Sequence, residues 1–245
     1  MGAVDDLLPL LKRLRLSGVL ETLELRVEEA VSGNLSHTEF LLRIIRDEVE
    51  RRQAKQMQQR LRRANFDNRS TLEDFDFHFN PTVPRAEVLE LATCAFVNKR
   101  ENVLLIGPTG TGKSHLAQAL GHRAVVAGRS VLFMTADQMF NSLRSARGDD
   151  TRDRCLKRYS DPDVLIVDDL GLRPLRDHEP LDLYDIIRAR YERGAFIVTS
   201  NRAVNEWYAL FGEPLLASAA MDRLLHHAHV IEITGKSFRT GADIP

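Results

Sequence analysis

The sequence predicts an α/β fold: a parallel sheet covered by helices on both faces, preceded by a small all-helical region. Three observations predict it. Short apolar runs alternate with helical stretches from residue 102 onward, the pattern of strands buried on both faces. The run Gly107-Pro108-Thr109-Gly110-Thr111-Gly112-Lys113-Ser114 fits G-x-x-x-x-G-K-[ST] and lies between one such run and a helical stretch. Residues 1–65, by contrast, carry helical spacing throughout.

In that first region, Leu7, Leu8, Leu10, Leu11, Leu14 and Leu16 repeat at three and four, and Ser17-Gly18 is expected to interrupt them. A second helix is expected over Val19–Val31, ending at Ser32-Gly33-Asn34. Ser36-His37-Thr38-Glu39 is a capping box that opens a third, longer helix. Its first half is amphipathic through Phe40, Leu41, Ile44, Ile45 and Val49; its second half is basic, from Arg51 to Arg63. Three helices of this size bury little surface alone, so the region is expected to dock on a partner or a second copy.

Residues 66–84 read as an extended connector in which Phe66, Phe75, Phe77 and Phe79 anchor to the following domain, residues 85–245. One helix is expected from Arg85 to about Lys99. The strand Asn102–Ile106 then leads into the glycine-rich run, and His115–Leu120 continues as a helix. Further strands are expected at Val131–Met134, Val164–Val167, Phe196–Thr199 and Val230–Ile233. Helices are expected near Asp137–Arg147, Thr151–Tyr159, Leu181–Glu192 and Leu215–His226.

The glycine-rich run is a phosphate cradle. Glycines let backbone N–H groups converge on an anion, and the helix N-terminus adds its positive dipole end. Lys113 is expected to reach the β- and γ-phosphates of ATP, and the Ser114 hydroxyl to ligate Mg²⁺. Asp163–Asp169 is an apolar strand ending in two carboxylates. Asp168 is expected in the Mg²⁺ shell, and Asp169 is placed to orient the water that attacks the γ-phosphate. Asn201, after a third strand, is of the type that hydrogen-bonds the γ-phosphate and that water.

Composition narrows the remaining classes. A net charge of −1 gives no global attraction to nucleic acid or membrane, so such a partner must meet local patches. Cys94 and Cys155 have neither C-x-x-C spacing nor His partners nearby, which speaks against a zinc site or disulfide framework and fits a reducing cytoplasm. His226, His227 and His229 lack carboxylate or Cys partners at ligand spacing and read as packing residues. No apolar run approaches the ~18 residues of a membrane span, and no signal peptide is expected.

The motifs occur in a fixed order: Leu72-Glu73-Asp74-Phe75-Asp76-Phe77, the glycine-rich run, Asp168-Asp169-Leu170-Gly171, Thr199-Ser200-Asn201-Arg202, Glu206-Trp207, Ala220-Met221-Asp222-Arg223-Leu224-Leu225-His226-His227 and Gly235-Lys236-Ser237-Phe238-Arg239. Together they resemble the IstB family of insertion-sequence ATP-binding proteins, AAA+ ATPases related to the DnaC and DnaI helicase loaders. The resemblance implies an AAA+ P-loop core with five parallel strands in the order 5-1-4-3-2. It implies an ATP site, reaching from Gly107 to His115, that is completed by a neighbouring subunit. Arg223 matches the arginine-finger position and Arg239 the second sensor. Asp169 stands where many AAA+ proteins carry Glu, and the shorter reach suits slow turnover. Only Thr240–Pro245 follow Arg239, so no C-terminal helical lid is expected and other elements must cover the site.

The partners implied are double-stranded DNA bound with weak sequence selectivity, a cognate transposase and further copies of the chain. Two basic clusters are candidates for DNA: Arg51 through Arg63, and Arg144, Arg147, Arg152, Arg154, Lys157 and Arg158. The second is favoured by the resemblance, although Asp149, Asp150 and Asp153 partly neutralise it. Three rivals stay open: a replicative helicase loader, a small-molecule P-loop kinase, and an ATP-bound DNA scaffold without turnover.

Overall fold

The structure, a computed structural model, describes residues 3–67, 70–238 and 243–244. It forms two compact units, residues 1–59 and 60–245, and the division falls inside the third helix rather than after it. None of the helices among the described residues is long and apolar enough to cross a membrane.

The first unit holds α1 (Ala3–Arg13), α2 (Ser17–Ser32) and most of α3 (His37–Ala64). The expected break at Ser17-Gly18 lies instead at Leu14-Arg15-Leu16, where Arg15 takes a left-handed φ of 56°. Ser17 and Gly18 belong to the first turn of α2, because Glu48 of α3 accepts the Gly18 N–H at 2.6 Å. A buried carboxylate thus satisfies an orphan donor of the first turn. The capping box is present: Ser36 N–H reaches Glu39 Oε2 at 3.0 Å, and Glu39 N–H reaches Ser36 Oγ at 3.3 Å. Val19, Leu23 and Ile44 form the small core, and Asp47 clamps Arg26 with two contacts of 2.8 Å.

In the second unit, after the end of α3 and the connector, come α4 (Arg85–Leu91) and α5 (Ala95–Lys99), where one helix is expected. The Thr93 hydroxyl donates to Glu90 O at 2.7 Å, and buried Cys94 turns to a φ of 62°, which breaks the run. Then follow β1 (Asn102–Ile106), α6 (Lys113–Val126), β2 (Val131–Thr135), α7 (Ala136–Gly148), α8 (Arg152–Ser160) and β3 (Val164–Asp168). The unit continues with α9 (Glu179–Arg190), β4 (Ala195–Ser200), a short α10 (Trp207–Leu210), α11 (Pro214–Leu225) and β5 (Ala228–Glu232). All five strands are parallel, in the order β2-β3-β4-β1-β5, which is the expected order read from the other edge.

Alternation along the strands builds two cores. Val103, Leu105, Phe133, Ile166, Ile197 and Ile231 face α6, α4 and α5. Their neighbours Leu104, Ile106, Leu132, Leu165, Val167 and Val198 face α7, α9 and α11. Side chains two apart share a face, so a strand that is apolar at every position needs helices on both sides. After β5 the described chain adds a small antiparallel pair that the sequence pattern did not indicate: β6 (Gly235–Lys236) with β7 (Asp243–Ile244).

Candidate nucleotide site

The sheet brings the C-terminal ends of β1, β3 and β4 to one edge. Ile106 pairs with Ser200 in register, and Gly107 N–H continues the ladder to Ser200 O at 3.1 Å. The chain then turns through the glycine-rich loop and enters α6 at Lys113. Two glycines there are required. Gly107 has a φ of 146°, and a Cβ on it would stand 1.9 Å from Ile233 O; Gly110 has a φ of 85°, and its Cβ would stand 2.2 Å from Ser237 Oγ.

The loop is bound on three sides. Phe238 N–H donates to Gly110 O at 2.8 Å, and His115 Nε2 lies 2.8 Å from Thr71 O. Phe75 packs edge-on to His115 with ring centres 5.3 Å apart. Within the loop, Pro108 O accepts both Lys113 Nζ at 2.7 Å and Thr111 Oγ1 at 2.9 Å. A cavity of about 350 Å³ opens over it, lined by Thr109, Gly110, Gly112, Lys113, Ser114, His115 and Asp169 from the predicted site.

Asp168 ends β3 beside this loop and is only 6% exposed. Burial pushes its carboxyl above the ordinary carboxylate range, and the neighbouring Asp169 charge pushes the same way. The hydroxyls of Thr199 and Ser114 and the charge of Lys113 oppose the shift without cancelling it. Asp169 is half-buried with a φ of 59°, and its N–H donates to Thr199 Oγ1 at 2.9 Å. Asn201 follows β4 and is exposed, outside the residues that line the cavity. Arg239 lies outside the described residues.

Arg223 is elsewhere. It sits near the end of α11, in a second cavity of about 270 Å³ with Asn102 and Gly194, at the opposite end of the strands from the glycine-rich loop. No carboxylate pairs with it among the described residues. The candidate DNA cluster divides in two. Arg144, Arg147 and Arg152 bond the buried α9 carboxylates: Arg144 to Glu179 at 2.9 Å, and Arg147 and Arg152 to Asp182 at 2.6 and 2.7 Å. Arg154, Lys157 and Arg158 lie on the exposed side of α8.

Several site residues escaped the sequence reading. Ser70, Asp74, Phe75 and Asp76 of the connector line the nucleotide cavity, as do Gln118 and Phe238. The Leu72–Phe77 block was visible as a motif, but nothing in its spacing says that it folds back over a loop some thirty-five residues later.

Comparison with known proteins agrees with this geometry. The profile of the IstB-like ATP binding protein family matches residues 9–243. The chain belongs to that family. It is 40% identical to an insertion-sequence ATP-binding protein of Mycobacterium tuberculosis over 94% of this chain and 92% of that one. It is also 40% identical to the IS21 ATP-binding protein of Pseudomonas aeruginosa, over 96% and 89%. Among solved structures, the replication initiator DnaA bound to AMPPCP and single-stranded DNA superposes with a TM-score of 0.59 at 23% identity. That match covers 70% of this chain and about half (52%) of DnaA, and it shows a shared fold. This IstB-like chain presents the loop, Asp168 and Asp169 at the C-terminal ends of the strands and Arg223 at the opposite ends.

Proposed function

We propose that this IstB-like protein is an ATP-dependent transposition helper. It hydrolyses ATP to ADP and phosphate, assembles with copies of itself on double-stranded DNA, and recruits or stimulates a cognate transposase in the cytoplasm. The observation that carries the reading is the separation of two half-sites. Lys113, Ser114, Asp168 and Asp169 converge at one end of the strands, while Arg223, which pairs with no carboxylate among the described residues, stands at the other. A site split in this way is complete only when two subunits meet head to tail. The relatives' names tie the family to insertion sequences and ATP, which supports a transposase as the client.

The chain's own groups suit the chemistry. Loop N–H groups and Lys113 would neutralise the β- and γ-phosphates once Lys113 leaves Pro108 O. Ser114 and Asp168 would hold Mg²⁺, and the raised proton affinity of Asp168 marks a buried charge that a divalent cation would relieve. Bound there, Mg²⁺ supplies neutralisation of the charge on the transferring phosphoryl oxygens. In this reading Asp169 would orient water, Asn201 would contact the γ-phosphate in the assembled state, and Arg223 would reach a neighbour's phosphates. Slow turnover would make hydrolysis an assembly switch on DNA.

The test is ATP binding and turnover, with and without duplex DNA, for the parent, Lys113→Ala and Arg223→Ala. Lys113→Ala should lose nucleotide binding. Arg223→Ala should bind ATP yet lose turnover or assembly, and mixing it with Lys113→Ala should restore part of the activity. An Arg223→Ala protein that assembles and hydrolyses like the parent overturns the head-to-tail site. Pull-down of a replicative helicase in place of the transposase would overturn the client.

A further inference from the structure

We infer that Tyr184 and Tyr191 are positioning residues that hold the Arg223 guanidinium ready for a neighbouring subunit, an inference that rests on Arg223 acting in trans as proposed above. The contrast with other arginines of this unit carries it. Arg147, Arg152 and Arg173 are bound to carboxylates, and buried Arg190 donates to backbone carbonyls including Tyr159 O and Ala195 O. Arg223 has neither arrangement. Among the described residues its one hydrogen bond runs from Nη1 to Ala219 O, one turn back on α11, at 2.6 Å. Its guanidinium carbon lies 5.7 Å from the Tyr184 ring centre and 6.0 Å from that of Tyr191.

Two aromatic rings do for an arginine what a carboxylate cannot. Their negative faces attract the cation and restrict its rotamers, yet they take none of its N–H donors and leave its charge intact. A carboxylate in the same place would compete with phosphate for the planar fork. Holding the side chain beforehand also removes part of the ordering cost when the second subunit arrives. The rings are themselves fixed. Tyr184 belongs to α9, which packs along α11, and the Tyr191 hydroxyl lies 3.1 Å from His226 Nδ1 at the end of α11. The cavity beside Tyr191 and Arg223 leaves room for an incoming loop.

The experiment compares Tyr184→Leu, Tyr191→Leu, Tyr184→Phe and Tyr191→Phe with Arg223→Ala in the full chain, under DNA-bound, ATP-saturated conditions. Each Leu variant should lower kcat by roughly tenfold, with KM for ATP and ADP affinity at the variant's own loop unchanged. The Phe variants, which keep the ring, should recover most of kcat. Adding either Leu change to Arg223→Ala should cost nothing more, since residues acting through one group are not additive. Leu variants that turn over like the parent beside an inactive Arg223→Ala would overturn the clamp while sparing the arginine. Additive losses, or Phe variants as slow as Leu, would overturn it equally. If Arg223→Ala itself matches the parent, the trans reading falls and the clamp with it. Should Tyr184→Leu melt early, the Tyr191 pair of variants decides the case.

Discussion

The Thr199 hydroxyl donates to Asp168 Oδ1, and its oxygen accepts the N–H of Asp169. One fully buried threonine on β4 therefore fixes both carboxylates at the end of β3. The pairing crosses between neighbouring strands, since β3 and β4 run side by side. Asp169 holds a left-handed φ of 59°, and its N–H would have no partner without the hydroxyl. The geometry of the two carboxylates proposed for metal and water thus depends on a residue to which neither role is assigned.

Thr199→Val keeps the volume and removes the hydroxyl. It should destabilise the second unit by about 1–3 kcal/mol, the cost of leaving a buried donor and acceptor unpaired. Turnover should fall while nucleotide binding at the loop persists. Denaturant unfolding and steady-state hydrolysis check the two halves separately; a variant with parental stability and rate would show that Asp168 and Asp169 are held by other contacts.

Asp168 has a direction of pH dependence that can be worked out. Its folded-state affinity for a proton is raised, chiefly by burial. A carboxyl raised on folding favours the folded state when protonated, and that contribution is lost as pH rises through the raised value. At neutral pH the ionised, nucleotide-free site therefore costs stability. Asp168→Asn should melt above the parent at pH 7–8, and the gap should close as pH falls into the ordinary carboxylate range. The same variant should lose Mg²⁺-dependent nucleotide affinity. Equal melting temperatures across that range would show that Asp168 carries no buried-charge cost.

Some of this arrangement was legible in the chain and some was not. Lys113, Ser114, Asp168 and Asp169 were legible because phosphate chemistry demands fixed residue types at fixed spacing after a strand. The strand order was legible through the resemblance. Arg223 was legible only through resemblance, and the rings around it not at all, since Tyr184 and Tyr191 reach it only when α9 packs on α11. The connector posed the same difficulty: Phe75 has to fold back against His115 before it lines the cavity. The division of the basic cluster was hidden for a related reason. Arg144 and Arg147 find their carboxylates 35 residues later, on α9, where local charge pattern cannot see them.

Those pairs make a stability prediction. Asp182 is 3% exposed and accepts from Arg147 and Arg152, which join α7 and α8 to α9. Asp182→Ala strands Arg147 beside an apolar core and leaves Arg152 with Asp185 alone. The loss should be about 2–3 kcal/mol, below that of a fully buried pair because the arginines keep 28% and 23% of their surface in water. Arg152→Gln should cost less, since Asp182 keeps Arg147. Thermal melts of the two variants rank the effects, and an Asp182→Ala protein as stable as the parent would mean that these contacts contribute nothing net.

The exposed side of α8 predicts a different kind of effect. Arg154 and Lys157 lie on it, while Arg147 and Arg152 are committed to Asp182. If α8 meets duplex DNA, Arg154→Glu with Lys157→Glu should weaken binding similarly for unrelated sequences. It should also flatten the dependence of log K on log salt by about 1.8, two phosphates at roughly 0.9 each. Arg152→Gln should leave that slope unchanged, because its charge is already spent inside the protein. Titrations of labelled duplex at several salt concentrations read both slopes. An unchanged slope in the double charge reversal would move the DNA path off α8, with the basic half of α3 from Arg51 to Arg63 as the next place to measure.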